Sequence, residues 1–283
     1  MVATLGRPTI VEEFLSDMAR QTRAPDAIII SAESAADLPA HIPEPVVVLL
    51  GLRGAARQRN RGLERCLGRY DVVMFLDDDF VPSRRLVENV AALFDRYPDV
   101  GGATGLVLAD GVGTHGISHR EAERLVRHHD DTRVLDAAPV DSGWTYGCNM
   151  AFRASAIGDI RFDENLPLYS WQEDVDFSGR MLARGRIVRT DAMAGVHRGV
   201  SSGRTTGVRF GYSQVVNPIY LVRKGTMRLG HAAWLITRNL LANHAKALRP
   251  AGLIDRRGRM RGNWIGIRDV LAGRADPRRI LQL

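Results

Sequence analysis

The sequence predicts an α/β fold, with a single doubly wound, mostly parallel sheet, helices on both faces, and a C-terminal helical extension. Three observations lead there. Short apolar runs alternate with helix-patterned segments through the first hundred residues. Those runs are continuously apolar rather than alternating, as in strands covered on both faces. From Arg223 onward the pattern becomes helical, amphipathic and basic.

In order, "MVAT" opens as a short strand, and "TIVEEFLSDMARQ" places Ile10, Val11, Phe14, Leu15 and Met18 on one helical face. Pro8 suits the start of that helix, where a missing N–H costs little. "DAIIIS" and "PVVVLL" are β-rich runs. "ARQRNRGLERCLG" reads as a helix, with Leu63 and Leu67 four apart. "YDVVMFL" is a strand, "SRRLVENVAALFDRY" a helix that Ser83 is expected to cap, and "VGGATGLVL" a further strand. Residues 108–142 are polar and rich in Gly, Asp, Arg and His, with a helix expected around "SHREAERLVRHH". Order returns with "YGCNMAFRASAI", "FDENLPLYSWQEDVDFSGRMLARG" and "RIVRTDAMAGVHRG".

The formal charge of +7 is unevenly spread: residues 223–283 hold 14 Lys and Arg against 3 Asp, a balance of +11 that leaves −4 on the first 222. No apolar run approaches the roughly 20 residues that span a bilayer. The N-terminus lacks a charged segment followed by an apolar core, and Cys66 and Cys148 are too few for a disulfide framework. The expected location is cytoplasmic. The basic tail lacks aromatic interleaving, zinc spacing or a recognition motif, so nucleic acid is not an expected partner.

Ligands of open α/β sheets bind beyond the carboxyl ends of strands. There stand Thr4 and Arg7, the stretch "SAES", and the "DDD" of Asp77, Asp78 and Asp79. Adjacent carboxylates are tolerable where a divalent cation neutralises them, and Mg²⁺ and Mn²⁺ favour such oxygen ligands. "DDDFV" also fits the Asp-x-Asp string of haloacid dehalogenase phosphatases. That family needs a downstream Lys followed by an acidic pair, and neither Lys224 nor Lys246 is followed by one. A metal-dependent phosphatase or nucleotidyltransferase, or a non-catalytic sugar-nucleotide-binding protein, stand as the alternatives.

Taken together, "ATLGRP", "ARQRNRGL", "VVMFLDDDF", "YGCNMAFRASAI" and "WQEDVDFSGRMLARG" resemble, in order and spacing, a family 2 glycosyltransferase of the GT-A fold, a single Rossmann-like domain. The resemblance covers about residues 1–222. It implies a nucleotide-sugar-binding half (1–106) and an acceptor-binding half (107–222), with residues 223–283 as an appended helical extension. It further implies inverting transfer of a sugar from a UDP-, GDP- or dTDP-sugar to a hydroxyl of a saccharide or lipid-linked saccharide, with Mn²⁺ or Mg²⁺.

Residue by residue, the resemblance implies Asp174 as base, with Glu173 beside it. It makes Asp79 the main metal ligand, with Asp77 and His197. Thr4, Arg7, Arg57, Asn60, Asp77 and Asp78 would address the nucleotide, and Gly147, Asn149 and Trp171 the acceptor. The family's usual Asp after the second strand is missing, and Glu33 is the nearest substitute. Arg59 and Arg61 are expected to point to solvent. "RGVSSGRTTGVRFGYSQ", with Arg204 and Arg209, has the composition of a loop that closes over diphosphate or of a plain flexible linker. The tail suits docking on the anionic inner face of the cytoplasmic membrane, with oligomer contact or inert solvated helices as the alternatives.

Overall fold

The computed structural model describes residues 1–132, 138–200, 206–247 and 254–283. The strands are β1 (Val2–Ala3), β2 (Ile28–Ala32), β3 (Val46–Leu50), β4 (Val72–Asp77), β5 (Phe80–Pro82), β6 (Val100–Asp110), β7 (Val140–Asp141), β8 (Asn149–Arg153) and β9 (Arg186–His197). The helices are α1 (Pro8–Ala19), α2 (Ala55–Cys66), α3 (Leu86–Arg96), α4 (His119–Thr132), α5 (Ala154–Ile157), α6 (Glu173–Met181), α7 (Gly207–Lys224), α8 (Leu229–Ala247) and α9 (Arg256–Leu271).

All these strands join one sheet, ordered β3-β2-β1-β4-β8-β6-β9-β5, with β7 pairing β9. β1, β2, β3, β4, β6 and β9 point one way. β8 runs against β4 and β6, while β5 and β7 run against β9. The mostly parallel sheet is therefore observed, and β1, β2 and β4 end side by side.

The pleat sends successive side chains to opposite faces. Along β4, Val73 and Phe75 pack under α2 and α6, with Leu63, Cys66, Phe177 and Met181. Leu76 faces the other way, among Phe14, Leu15 and Met18 of α1 and Val90 and Phe94 of α3. Both faces are thus sealed by helices, and the site can open only along the sheet's carboxyl edge.

Two local expectations change. α3 starts at Leu86 without a side-chain cap. Ser83 lies a turn earlier, where its hydroxyl accepts the Arg85 N–H (3.2 Å) and donates to Asp130 (2.6 Å). The stretch expected to close over diphosphate is helical from Gly207. Arg209 sits in that helix and donates to the Leu283 carbonyl (3.1 Å), while Arg204 lies outside the described residues.

The tail is not a loose appendage. α9 packs so closely on α7 that a Cβ at Gly211 would overlap the Arg259 carbonyl, and one at Gly262 the Val208 carbonyl. Small residues at such crossings let two backbones meet. Buried Asn243 of α8 donates to Gln214 of α7 (2.8 Å) and Asn263 of α9 (2.9 Å), and Asn263 donates to the Gly211 carbonyl (2.7 Å). Asp255 caps α9 by accepting the Gly258 N–H (2.7 Å). β6 runs across the division expected at 106/107, and α7 across that at 222/223.

Candidate active site

Asp77 ends β4, Asp78 and Asp79 form the turn, and Phe80 starts β5. Sheet register then sets the neighbours: Phe80 and Asp110 both pair with His197, the last residue of β9. Asp77, Asp79 and His197 consequently offer one ligand atom each within 4.8 Å of one another. His197 Nε2 lies 3.4 Å from Asp79 Oδ1 and 3.7 Å from Asp77 Oδ2.

The remaining polar atom of each residue is already held. Asp77 Oδ1 accepts from Arg59 (3.2 Å), and Asp79 Oδ2 accepts the Val200 N–H (2.7 Å). His197 Nδ1 faces Asp110 Oδ1 at 3.1 Å, with the Tyr146 hydroxyl at 3.4 Å. Such outer partners aim ligand atoms and fix the imidazole tautomer. Two carboxylates and an imidazole, so oriented, fit a divalent cation that takes oxygen and nitrogen donors. Burial raises the cost of charge on Asp79, yet His197, Arg7 and the Val200 N–H hold its pKa below the usual value. Burial likewise opposes a charged His197, and Asp110 and Asp79 overcome it and raise its pKa.

Asp78 is turned the other way. It is buried, accepting from the Thr4 hydroxyl (2.7 Å) and Arg7 (2.7 Å). Burial is the main reason its pKa rises to about 6. Thr4, Arg7 and Asp78 therefore brace one another beneath the site, and Arg7 also holds the Val200 carbonyl (3.0 Å).

The second centre is the N-terminus of α6. Asp174 accepts the Gly147 N–H (2.9 Å) and the Val175 N–H (2.8 Å). A Cβ at Gly147 would stand in van der Waals contact with Glu173 (3.4 Å) and Asp174 (3.5 Å). Burial raises the Asp174 pKa against the pull of those two N–H groups and Arg59. Burial also lifts Glu173 to about 8, although Arg59 bonds it directly.

Arg59 corrects the expectation of a solvent-facing side chain. It is buried, bonding Glu173, Asp77 and the Gly147 carbonyl (3.1 Å) at once. One guanidinium thus ties the cation side of the cleft to the Asp174 side. Arg61 bonds Ser31 Oγ (2.7 Å) and the Leu52 carbonyl (3.0 Å). Asn60 is engaged within the fold, donating to Phe162 (3.0 Å) and Glu164 (2.9 Å). Arg57 is exposed and pairs with Glu164 at 3.3 Å.

Other expected residues fall elsewhere. Glu33 is exposed after β2. The carboxylate that joins the first two strand ends is Asp37, which the sequence reading missed. It is buried and accepts from Gly6 (2.7 Å) and Ser34 (2.7 Å). Its signal was Ser-x-x-Asp after a strand, a capping box. Asn149 is fully buried, its amide donating to the Met193 carbonyl (2.7 Å). Trp171 is half-buried with its ring 5.9 Å from Phe210, and exposed Tyr169, also unforeseen, stands 5.8 Å from the same ring.

The stretch 168–172 carries the positive-φ non-glycine residues of the described chain: Leu168 (61°), Ser170 (53°) and Gln172 (76°). Such strain persists only where surroundings over-determine it. Here Ser170 Oγ donates to the Leu166 carbonyl (2.6 Å) and accepts the Ala56 N–H (3.2 Å), and Asn217 donates to the Trp171 carbonyl (2.9 Å). The alternation throws Tyr169 and Trp171 outward directly before the Glu-Asp pair.

The phosphatase alternative has no support in this geometry. Lys224 bonds Asp163 and Asp176 (2.9 Å), and Lys246 is exposed on α8.

Comparisons with known proteins agree with the fold. No curated protein matches the chain closely in sequence. Among solved structures, a mannosyltransferase from Pyrobaculum calidifontis, in complex with GDP-Man and Mn²⁺, superposes with a TM-score of 0.54 at 16% identity, over 96% of this chain and 79% of that one. S. aureus TarS gives 0.50 at 14% identity, over 88% of this chain and 71% of that one. GalNAc-T7 with UDP, GalNAc and Mn²⁺ gives 0.50 at 13% identity, over 80% of this chain and 50% of that one. These likenesses establish the GT-A fold. The profile described as "Glycosyl transferase family group 2" matches residues 72–238, more than half of the sequence. The match takes in the Asp77–Asp79 turn, the Glu173–Asp174 pair and His197, and the chain is a metal-associated glycosyltransferase belonging to that family.

Proposed function

We propose that the protein transfers a sugar, with inversion, from a nucleoside-diphosphate sugar to a hydroxyl of a saccharide or lipid-linked saccharide. This is a step of polysaccharide or glycoconjugate assembly carried out in the cytoplasm, at the inner face of the cytoplasmic membrane. The observation that carries the reading is the bridge by Arg59 between Asp77 of the cation cluster and the Glu173–Asp174 pair. It supports a base acting opposite a cation-held diphosphate. The similar structures that hold GDP-Man or UDP with Mn²⁺ support a UDP-, GDP- or dTDP-linked donor.

In this mechanism Asp174 takes the proton of the acceptor hydroxyl as its oxygen bonds to the anomeric carbon. The bond from that carbon to the diphosphate oxygen breaks in the same displacement, and its electron pair leaves with the diphosphate. A raised pKa suits a carboxylate that must receive a proton. The Gly147 and Val175 N–H groups fix the direction of Asp174, and Glu173 positions Arg59. Asp77, Asp79 and His197 would hold the divalent cation, which supplies neutralisation of the charge gathering on the leaving diphosphate. Tyr169 and Trp171 present aromatic faces to an acceptor sugar ring.

Asp174→Asn tests the reading. Transfer should fall by at least about a thousandfold, within the range for a general base. Calorimetry should show that the variant still binds nucleoside diphosphate with Mn²⁺. Retained turnover would remove Asp174 from the role of base.

A further inference from the structure

We infer that α8 and α9 together form a surface that seats the protein on an anionic phospholipid bilayer. This deepens the membrane placement proposed above by naming the residues that make it.

Each helix carries the same exposed triplet at i, i+4 and i+7: Trp234, Arg238 and Leu241 on α8, and Trp264, Arg268 and Leu271 on α9. That spacing keeps a triplet on one helical face. Trp234 and Trp264 are each 54% exposed, Leu241 67% and Leu271 82%. The opposite faces are spent on the fold. α8 buries Ala232, Leu235, Asn243 and Ala247, and α9 buries Gly262, Asn263 and Gly266 against α7.

The two exposed faces adjoin. Trp264 Nε1 donates to His244 Nε2 (3.0 Å), and His244 lies one turn beyond Leu241. On α9 the stripe extends backward through Arg261 and Arg257, both exposed, at spacings of three and four residues.

Charge selects the occupant. α8 contains no Asp or Glu. The single carboxylate of α9, Asp269, is buried and paired with Arg274 and Arg279. The stripes therefore offer Arg beside Trp and Leu with no exposed carboxylate within either helix. A second copy of this chain would bring the same cationic face against itself, whereas an anionic lipid surface complements it. The Arg238 guanidinium lies 4.6 Å above the Trp234 ring, so charge and aromatic body sit together at the depth of headgroups. No described helix is long and apolar enough to cross the bilayer, so this attachment lies on the surface.

The test is sedimentation of the full chain with vesicles of phosphatidylcholine, with and without phosphatidylglycerol, at low and high salt. Binding should require phosphatidylglycerol and weaken with salt. One Arg near such a surface is worth about fivefold in partitioning, so Arg261→Gln with Arg268→Gln should cost about 25-fold. Trp234→Ala with Trp264→Ala should reduce binding at least tenfold while a thermal melt stays cooperative. Absence of binding at low salt, or unchanged binding in both double variants, overturns the proposal. So does a concentration-dependent dimer abolished by the Trp pair, which would assign the face to self-association. None of these readouts depends on turnover, so glycosyl transfer stands or falls separately through Asp174→Asn.

Discussion

Two clusters in this protein hold the same ligand types, a His and two carboxylates, with ligand atoms inside 4.8 Å: Asp77–Asp79–His197 and Asp17–His119–Glu123. Only their partners differ. In the second, Arg20 bonds both Asp17 and Glu123 (2.6 Å), and His119 Nε2 closes on Asp17 at 2.9 Å. Its ligand atoms are thus held by Arg20 and by one another. In the first, Arg59, Val200 and Asp110 each hold the far atom of one ligand, which leaves the near atoms facing one another. The two clusters are thus told apart by which atoms the protein's own groups already hold, rather than by ligand identity.

The comparison can be broken most directly by Asp79→Asn. Mn²⁺ affinity should drop by more than about 100-fold, beyond the span typical of outer partners, whereas Asp17→Asn should leave it unchanged in the same calorimetric titration. Equal losses would erase the distinction. Asp110→Asn sharpens it, since it alters the group behind His197 and leaves the three ligand residues in place. The expected loss is about 10–100-fold in Mn²⁺ affinity, measured alongside a melt showing an intact fold.

Glu173 extends the contrast to a buried carboxylate that does face an Arg. Its pKa rises from 4.5 to about 8, so between those values the folded protein binds a proton that the unfolded chain releases. Stability from this group is then present at low pH and declines as pH climbs through that window. Glu173→Gln stays neutral throughout, and its melting temperature should lose that downward slope; an unchanged slope would show that Arg59 keeps Glu173 ionised. The smallest effect belongs to Glu123→Gln, on the partly exposed pair with Arg20. Denaturant unfolding should change by less than about 1 kcal/mol, with Mn²⁺ binding untouched.

Most of the sheet was legible because continuous apolar runs announce buried strands, and β1, β2 and β4 lie where those runs stand. The Asp motif and the Glu-Asp pair were legible as strings at element ends. Arg59 was misread although its signal was present. Ala56, Arg59, Leu63 and Cys66 share one helical stripe, and all are buried; weighting Arg by its usual exposure obscured its place there. Asp110 needed a register: nothing in a polar excursion says that β6 runs on to Asp110 and pairs it with His197. The strained run at residues 168–172 was illegible because Leu, Ser and Gln give no warning of positive φ.

The bare helix crossing between α7 and α9 has a practical consequence for dissecting this enzyme. A chain cut after residue 222 would strip the cover from Gly211 and leave buried Gln214 without its Asn243 partner. Such a truncation would report on misassembly as much as on any role of the tail. Residues 223–283 are therefore better interrogated by single side chains on their outer face than by deletion.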